Sequence, residues 1–196
     1  MQTKTEDRFV IAIDPGFTCT GIVLVRYNED YTELVNFAYV LEPPNMKGQS
    51  ECARVFNMAD KIVDTLIKVT SPYVTQNNWS VGIEYIYYNR KNPKSLIMQS
   101  RLLQAIEHLI LNTINIDNEN FILLEHNPNT VKKTMRKGKS TKDEIRKSVI
   151  DKVRIGNTIL ESINLLSKPA AEAIYDAAAI AYTHVKVLEE FISDQQ

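Results

Sequence analysis

Phe9-Val10-Ile11-Ala12-Ile13-Asp14-Pro15-Gly16 is the stretch on which the fold turns. A short apolar run closed by a Pro-Gly turn signal is too brief for a helix and reads as a buried strand over residues 8–14. The strand ends on a carboxylate, Asp14. Two more apolar runs follow, Gly21 to Val25 and Leu34 to Val40. Only short turns separate the three, which predicts an antiparallel meander.

Downstream the period changes. Pro43, Pro44 and Gly48 mark a loop, and Val55, Ala59, Ile62, Val63 and Leu66 recur at helical spacing over 50–68. Ser71-Pro72 and Asn77-Asn78 mark the next loop, and Trp79 to Ile86 reads as a fourth strand. Asn92-Pro93 opens a helix over 95–112, Asn120 to Leu124 is a fifth strand, and a short helix begins at Asn129 to Lys133. Gly138 sits in a basic loop. Ser140-Thr141-Lys142-Asp143-Glu144 has the form of a helix N-cap, and Pro169 starts a last, alanine-rich helix. The order β-β-β-α-β-α-β-α-α is that of an α/β chain with the RNase H-like fold. It predicts a five-stranded mixed sheet with helices on both faces and right-handed crossovers. No repeat or composition break interrupts it, so residues 1–196 are expected to form one domain, with flexible tails at 1–7 and 191–196.

The chain of 196 residues is 44% apolar, enough for a core, and 24% charged. No apolar run is long enough to span a membrane, and the polar Met1 to Asp7 has no signal-like apolar segment. Two cysteines, Cys19 and Cys52, do not make a disulfide framework and fit an intracellular, reducing compartment. The net charge of −1 conceals an asymmetry. Residues 130–154 carry net +7 and residues 86–105 carry +4, which leaves −12 for the rest. A basic face on an acidic body points to a polyanionic partner, although one basic run alone could be a solvated helix.

Three acids stand in unusual places. Asp14 closes the first strand, Glu84 lies in the fourth among Val81, Ile83 and Ile86, and Asp176 precedes Ala177-Ala178-Ala179-Ile180-Ala181. A carboxylate inside a strand is costly unless it is paired or holds a metal. Small residues after Asp176 let its helix lie close to a sheet. Acids from three elements are what Mg2+ needs, since it takes hard oxygen ligands and keeps some water. Paired ions about 4 Å apart would activate water and stabilise a leaving oxygen in phosphodiester hydrolysis. Singly, Asp14 could be a turn residue, Glu84 a solvated edge residue, and Asp176 an ordinary helix residue.

Ile11-Ala12-Ile13-Asp14-Pro15-Gly16 with Thr20-Gly21 resembles the first motif of the RuvC-type Holliday junction resolvases. Ile83-Glu84 with Tyr87 resembles the second. Val131-Lys132-Lys133-Thr134 followed by Gly138, Ser140 and Lys142 is similar to the family's basic loop, and Asp176 to Ala181 to its last motif. The likeness covers residues 8–190. It implies a magnesium-dependent endonuclease that cuts four-way DNA junctions in recombination or repair, with Mn2+ able to substitute, two ions per site and a homodimeric state. It makes Asp14, Glu84 and Asp176 metal ligands, and Lys132 and Lys142 catalytic or phosphate-binding. DNA contacts are expected from Tyr87, Arg90, Lys91, Lys94, Lys132, Lys133, Arg136, Lys137, Lys139 and Lys142. Leu96, Leu103, Ile106 and Ile110 offer a dimer surface, unless they cover the sheet.

One departure stands out. The family's usual fourth acid, three residues before the last aspartate, falls on Ala173. Glu172 lies four residues before Asp176, on a shared helix face, and is the alternative fourth ligand. Three other readings stay open. An RNA-processing YqgF-type nuclease would share the fold. A catalytically inactive junction-binding protein would explain Ala173. An actin-like ATPase would need a second glycine-rich turn, and the chain has six glycines and no duplicate turn.

Overall fold

The computed structural model describes residues 7–42, 48–73, 79–85, 93–113, 122–136 and 140–194. Three strands, β1 (Arg8–Asp14), β2 (Cys19–Tyr27) and β3 (Thr32–Leu41), form the expected antiparallel meander. Helix α1 (Glu51–Thr70) leads to β4 (Trp79–Glu84), and α2 (Pro93–Thr113) leads to β5 (Ile122–His126). Both strands run parallel to β1, in the order β5-β4-β1-β2-β3. Helices α3 (Pro128–Met135), α4 (Lys142–Lys152), α5 (Asn157–Asn164) and α6 (Lys168–Ser193) complete the chain.

Strand alternation divides the core in two. Phe9, Ile11 and Ile13 of β1, with Ile22 and Leu24 of β2, pack under α1 and α2. Val10, Ala12, Val23 and Val25 face the other way, onto Ile174, Ala177, Ala178 and Ala181 of α6. The even positions of β1, ending on Asp14, therefore point to the α6 face. Glu84 shares that face, because Gly82 of the same strand lies against His184 of α6. Helices on both faces of a mixed sheet match the expected RNase H-like architecture.

The sheet departs from expectation in having a sixth strand. β6 (Arg154–Ile155) pairs parallel with β3 at Glu33 and Leu34 and extends the edge. Two residues cannot display an alternation, so no periodicity announces it. Helix α5 carries no start signal in the sequence either: its N-cap is Gly156, which makes no side-chain hydrogen bond. Asp7 accepts hydrogen bonds from Asn28 Nδ2 at 3.1 Å and Tyr31 Oη at 3.0 Å, and α6 continues to Ser193.

Three of the four residues suggested for a dimer surface are core residues instead. Leu103, Ile106 and Ile110 are buried against α1 and the sheet. A helix laid on a sheet must bury its apolar stripe there, and the exposed apolar residues of α2 are Ile97 and Leu111. Among the described residues no helix is long and apolar enough to cross a membrane.

Candidate active site

Asp14 and Glu84 end neighbouring parallel strands. The β1–β4 register pairs Ile13 with Ile83, so the next residue of each strand is an acid. The turn after Asp14 is clipped by its own backbone. Gly16 N–H donates to the Asp14 carbonyl at 2.9 Å, and Thr20 Oγ1 donates to the Gly16 carbonyl at 2.8 Å. Pro15-Gly16 and Thr20 thus shape the strand end that presents Asp14.

Helix α6 crosses this strand end obliquely. Near its start, the backbone of Ala173 lies against Gly21, the β2 partner of Asp14. Further along, His184 lies against Gly82 of β4. Eleven residues of helix span about 16 Å, enough to pass from β2 over β1 to β4. Asp176, one turn after Ala173, comes to the side of the two strand acids.

The electrostatics follow from this grouping. Burial, followed by the charges of Glu84 and Asp176, raises Asp14 well above the usual aspartate value. Burial and Asp176 push Glu84 up to about 7, against smaller opposing effects of Lys142 and Lys132. Lys142, the first residue of α4, donates a hydrogen bond to Asp176 Oδ2. Burial alone would lower the Lys142 pKa, but that bond and the charges of Asp176, Asp14 and Glu172 raise it. An ammonium thus stands among carboxylates that favour a cation.

Among the described residues no three His, Cys, Asp or Glu side chains are placed, as they stand, to hold a metal ion together. The donor set still fits one. Its ligands are hard carboxylate oxygens, and the two strand acids are held in a setting that disfavours their charged forms unless a cation comes close. Asp14, Glu84 and Asp176 are the residues that would hold it.

Glu172 takes a different position. It lies 3.9 Å from Lys168 and lines a cavity between α4 and α6, where its charge acts on Lys142. Lys132 and Lys133 are exposed on α3, in the short helix expected there, and Lys132 is near enough to Glu84 to affect it. Arg136 caps α3 and is tied to Glu144 at 2.5 Å. Tyr87, Arg90, Lys91, Lys137 and Lys139 lie outside the described residues, as does the side chain of Lys94. Two residues that sequence reasoning missed are His126 and His184, a buried hydrogen-bonded pair beneath Gly82. They are 58 positions apart, and no local pattern links them.

An RNase H-like sheet with three carboxylates gathered where two parallel strands end beneath a crossing helix defines a class: it is the architecture of metal-dependent nucleases of that fold. The chain belongs to the RuvC family, crossover junction endodeoxyribonuclease RuvC, which it matches over residues 10–184. Membership implies dependence on a divalent metal. A crossover junction endodeoxyribonuclease RuvC from Alkaliphilus oremlandii is 21% identical over 176 residues, 89% of this chain and 91% of the relative. The structure of T. thermophilus RuvC in complex with a Holliday junction substrate is 20% identical. It superposes with a TM-score of 0.61 over 93% of this chain and 96% of the other. The yeast mitochondrial Holliday junction resolvase Ydc2 is 16% identical, with a TM-score of 0.66 over 100% of this chain and 87% of the other.

Proposed function

We propose that this protein is an endodeoxyribonuclease that resolves four-way DNA junctions by magnesium-dependent phosphodiester hydrolysis. One observation carries the reading: in a chain of the RuvC family, Asp14, Glu84 and Asp176 converge on the α6 face at one end of the sheet.

Asp14, Glu84 and Asp176 are the proposed ligands of two Mg2+ ions, and Mn2+ should substitute. Bound there, the ions supply Lewis acidity to the attacking water and to the leaving oxygen. The chain's own groups do the rest. The strand ends fix Asp14 and Glu84 on backbone that cannot swing, which preorganises the site. Lys142, once released from Asp176, turns its ammonium to the non-bridging oxygens of the scissile phosphate, where charge grows in the transition state. Lys132 and Lys133 on α3 neutralise nearby phosphates of the substrate. Glu172 joins the ligand set only by leaving Lys168. The two-fold symmetry of a four-way junction fits a homodimer.

The test is cleavage of a synthetic four-way junction in Mg2+, beside a linear duplex and an RNA–DNA hybrid. Selective, symmetric cuts in the junction are expected. Asp14→Asn should abolish them and leave junction binding in place. Cleavage of the hybrid alone would point to an RNA-processing nuclease. Ala173 favours one rival, a junction binder without activity, which tight binding and no cleavage in either Mg2+ or Mn2+ would establish.

A further inference from the structure

A cavity of about 320 Å³ opens beside the carboxylates, between α4, the α5–α6 turn and the start of α6. Lys142 and Asp176 line it, so it is continuous with the active site. Three features of this cavity are not used by the catalytic residues.

The first is Arg146, one turn after Lys142 on α4. Its Nη2 donates to Asn164 Oδ1 at 2.9 Å, and its guanidinium lies 5.1 Å from the centre of the Tyr175 ring. Both partners are neutral, and among the described residues no salt bridge ties Arg146 to a carboxylate. The second is Tyr175 itself. It lines the cavity and is 3% exposed, and its hydroxyl is buried without a hydrogen-bond partner. A buried hydroxyl left unpaired costs free energy that a ligand atom would recover. The third is the N-terminus of α6. Its N-cap, Ser167, makes no side-chain hydrogen bond, and the first turn carries no acid. The amides of Lys168 and Ala170 therefore lack a cap, and the positive end of a 26-residue helix faces the same space.

The acids of the cavity do not cancel these donors. Asp176 is engaged by Lys142, and Glu172 lies next to Lys168. Asp143 sits in the first turn of α4, where its charge complements that helix's own N-terminus. What remains is a guanidinium, a hydroxyl and free amides, a set that suits an oxyanion.

We propose that this cavity is a subsite for a phosphodiester group, the neighbour of the scissile one on the strand being cut. Arg146 is its main charge contact, and Tyr175 Oη and the α6 amides complete it. Holding the next phosphate would fix the register of the strand over Asp14 and Glu84. The subsite rests on the junction-cleavage reading.

The experiment measures binding of a synthetic four-way junction to the Asp14→Asn protein, by fluorescence anisotropy. Phosphates around the cut are replaced one at a time by uncharged methylphosphonate. One position should cost about tenfold in affinity, the value of one charge-assisted hydrogen bond. Arg146→Gln on the same background should lose about tenfold on the unmodified junction and nothing further at that position. Tyr175→Phe should show a smaller loss with the same pattern. Arg146 is exposed, so its replacement leaves the fold intact. If Arg146→Gln binds as tightly as its parent, or keeps its parent's sensitivity at every position, the subsite is overturned while junction binding stands. If no variant binds a junction, the junction reading falls and the subsite with it.

Discussion

Gly21 of β2 and Ala173 of α6 meet backbone to backbone: a Cβ on Gly21 would lie 2.1 Å from the Ala173 carbonyl oxygen. Gly21 is also the strand partner of Asp14. The contact therefore sets the height of α6 over the strand end that carries one acid, and so places Asp176 one turn further on. Gly21→Ala forces the helix outward. It should cost about 1–3 kcal/mol of stability, the usual scale of overpacking, and lower kcat on the order of 10²-fold through misplaced ligands. Junction affinity should hold. Urea denaturation and single-turnover cleavage read the two effects, and a Gly21→Ala enzyme with normal kcat would show that this contact does not position the site.

The second contact of α6, at Gly82, rests on the histidine pair. His126 Nε2 and His184 Nδ1 are 2.8 Å apart. Burial keeps both imidazoles neutral and, with His126 close by, presses His184 down to about 3. This predicts a stability profile with two opposed limbs in the absence of metal. Between about pH 3 and 6.5 the unfolded chain takes up a proton that folded His184 refuses, so stability rises with pH. Between pH 4.5 and about 7 folded Glu84 keeps a proton that the unfolded chain has lost, so stability falls as pH rises. Asp14 acts in the same direction as Glu84. Above pH 6.5 the carboxylate limb acts alone, and below about 3.8, where the unfolded Asp14 is protonated too, the histidine limb does. Glu84→Gln should flatten the neutral limb, as should saturating Mg2+, and His184→Leu the acid limb. Thermal unfolding against pH checks this, and a neutral limb unchanged in Glu84→Gln would refute the assignment.

The family resemblance groups Lys132 with Lys142, but their settings differ. Lys142 is bound to Asp176 and opposes the rise in pKa of both Asp14 and Glu84, whereas Lys132, on α3, is held by no carboxylate among the described residues and opposes that of Glu84 alone. Lys142→Met should reduce cleavage on the order of 10²–10³-fold, as loss of a transition-state contact does, with little change in binding. Lys132→Ala should weaken binding to every junction sequence and reduce the salt slope by about one. Equal effects of both variants on binding would return Lys142 to the phosphate-holding group.

How far these features could be read from the chain depended on their range. β1 was legible because a run of apolar residues closed by Pro15-Gly16 needs no tertiary information. Asp14 and Glu84 were legible as acids inside strands, and Ser140 to Glu144 as a helix cap, in which the structure makes Thr141 the N-cap and Glu144 its capping-box partner. β6 was not, because two residues on an edge carry no period. Leu103, Ile106 and Ile110 had the helical spacing of any apolar stripe, and only the position of α1 determines that the sheet side claims them. His126 and His184 could not be paired, since β5 and α6 become neighbours of β4 only through the folded sheet.

The last prediction concerns the missing fourth acid. Ala173 is 5% exposed and its backbone lies over Gly21, beside Asp14 in the β1–β2 register. Position 173 is therefore next to the strand acid. Glu172 is one residue, or about 100° of helix, away. It is half-exposed, sits 3.9 Å from Lys168 and acts on Lys142. To bind an ion with Asp14 and Glu84, its side chain would have to leave that cavity. Ala173→Asp should accordingly tighten Mg2+ binding and raise cleavage at low metal concentration, by adding a ligand where the family usually has an acid. Glu172→Gln should do little at saturating Mg2+. Both variants are to be compared on one junction across a Mg2+ titration, with metal affinity read separately by the shift in melting temperature. A strong loss of both activity and metal-induced stabilisation in Glu172→Gln, with Ala173→Asp inert, would mean instead that Glu172 leaves Lys168 to complete the site.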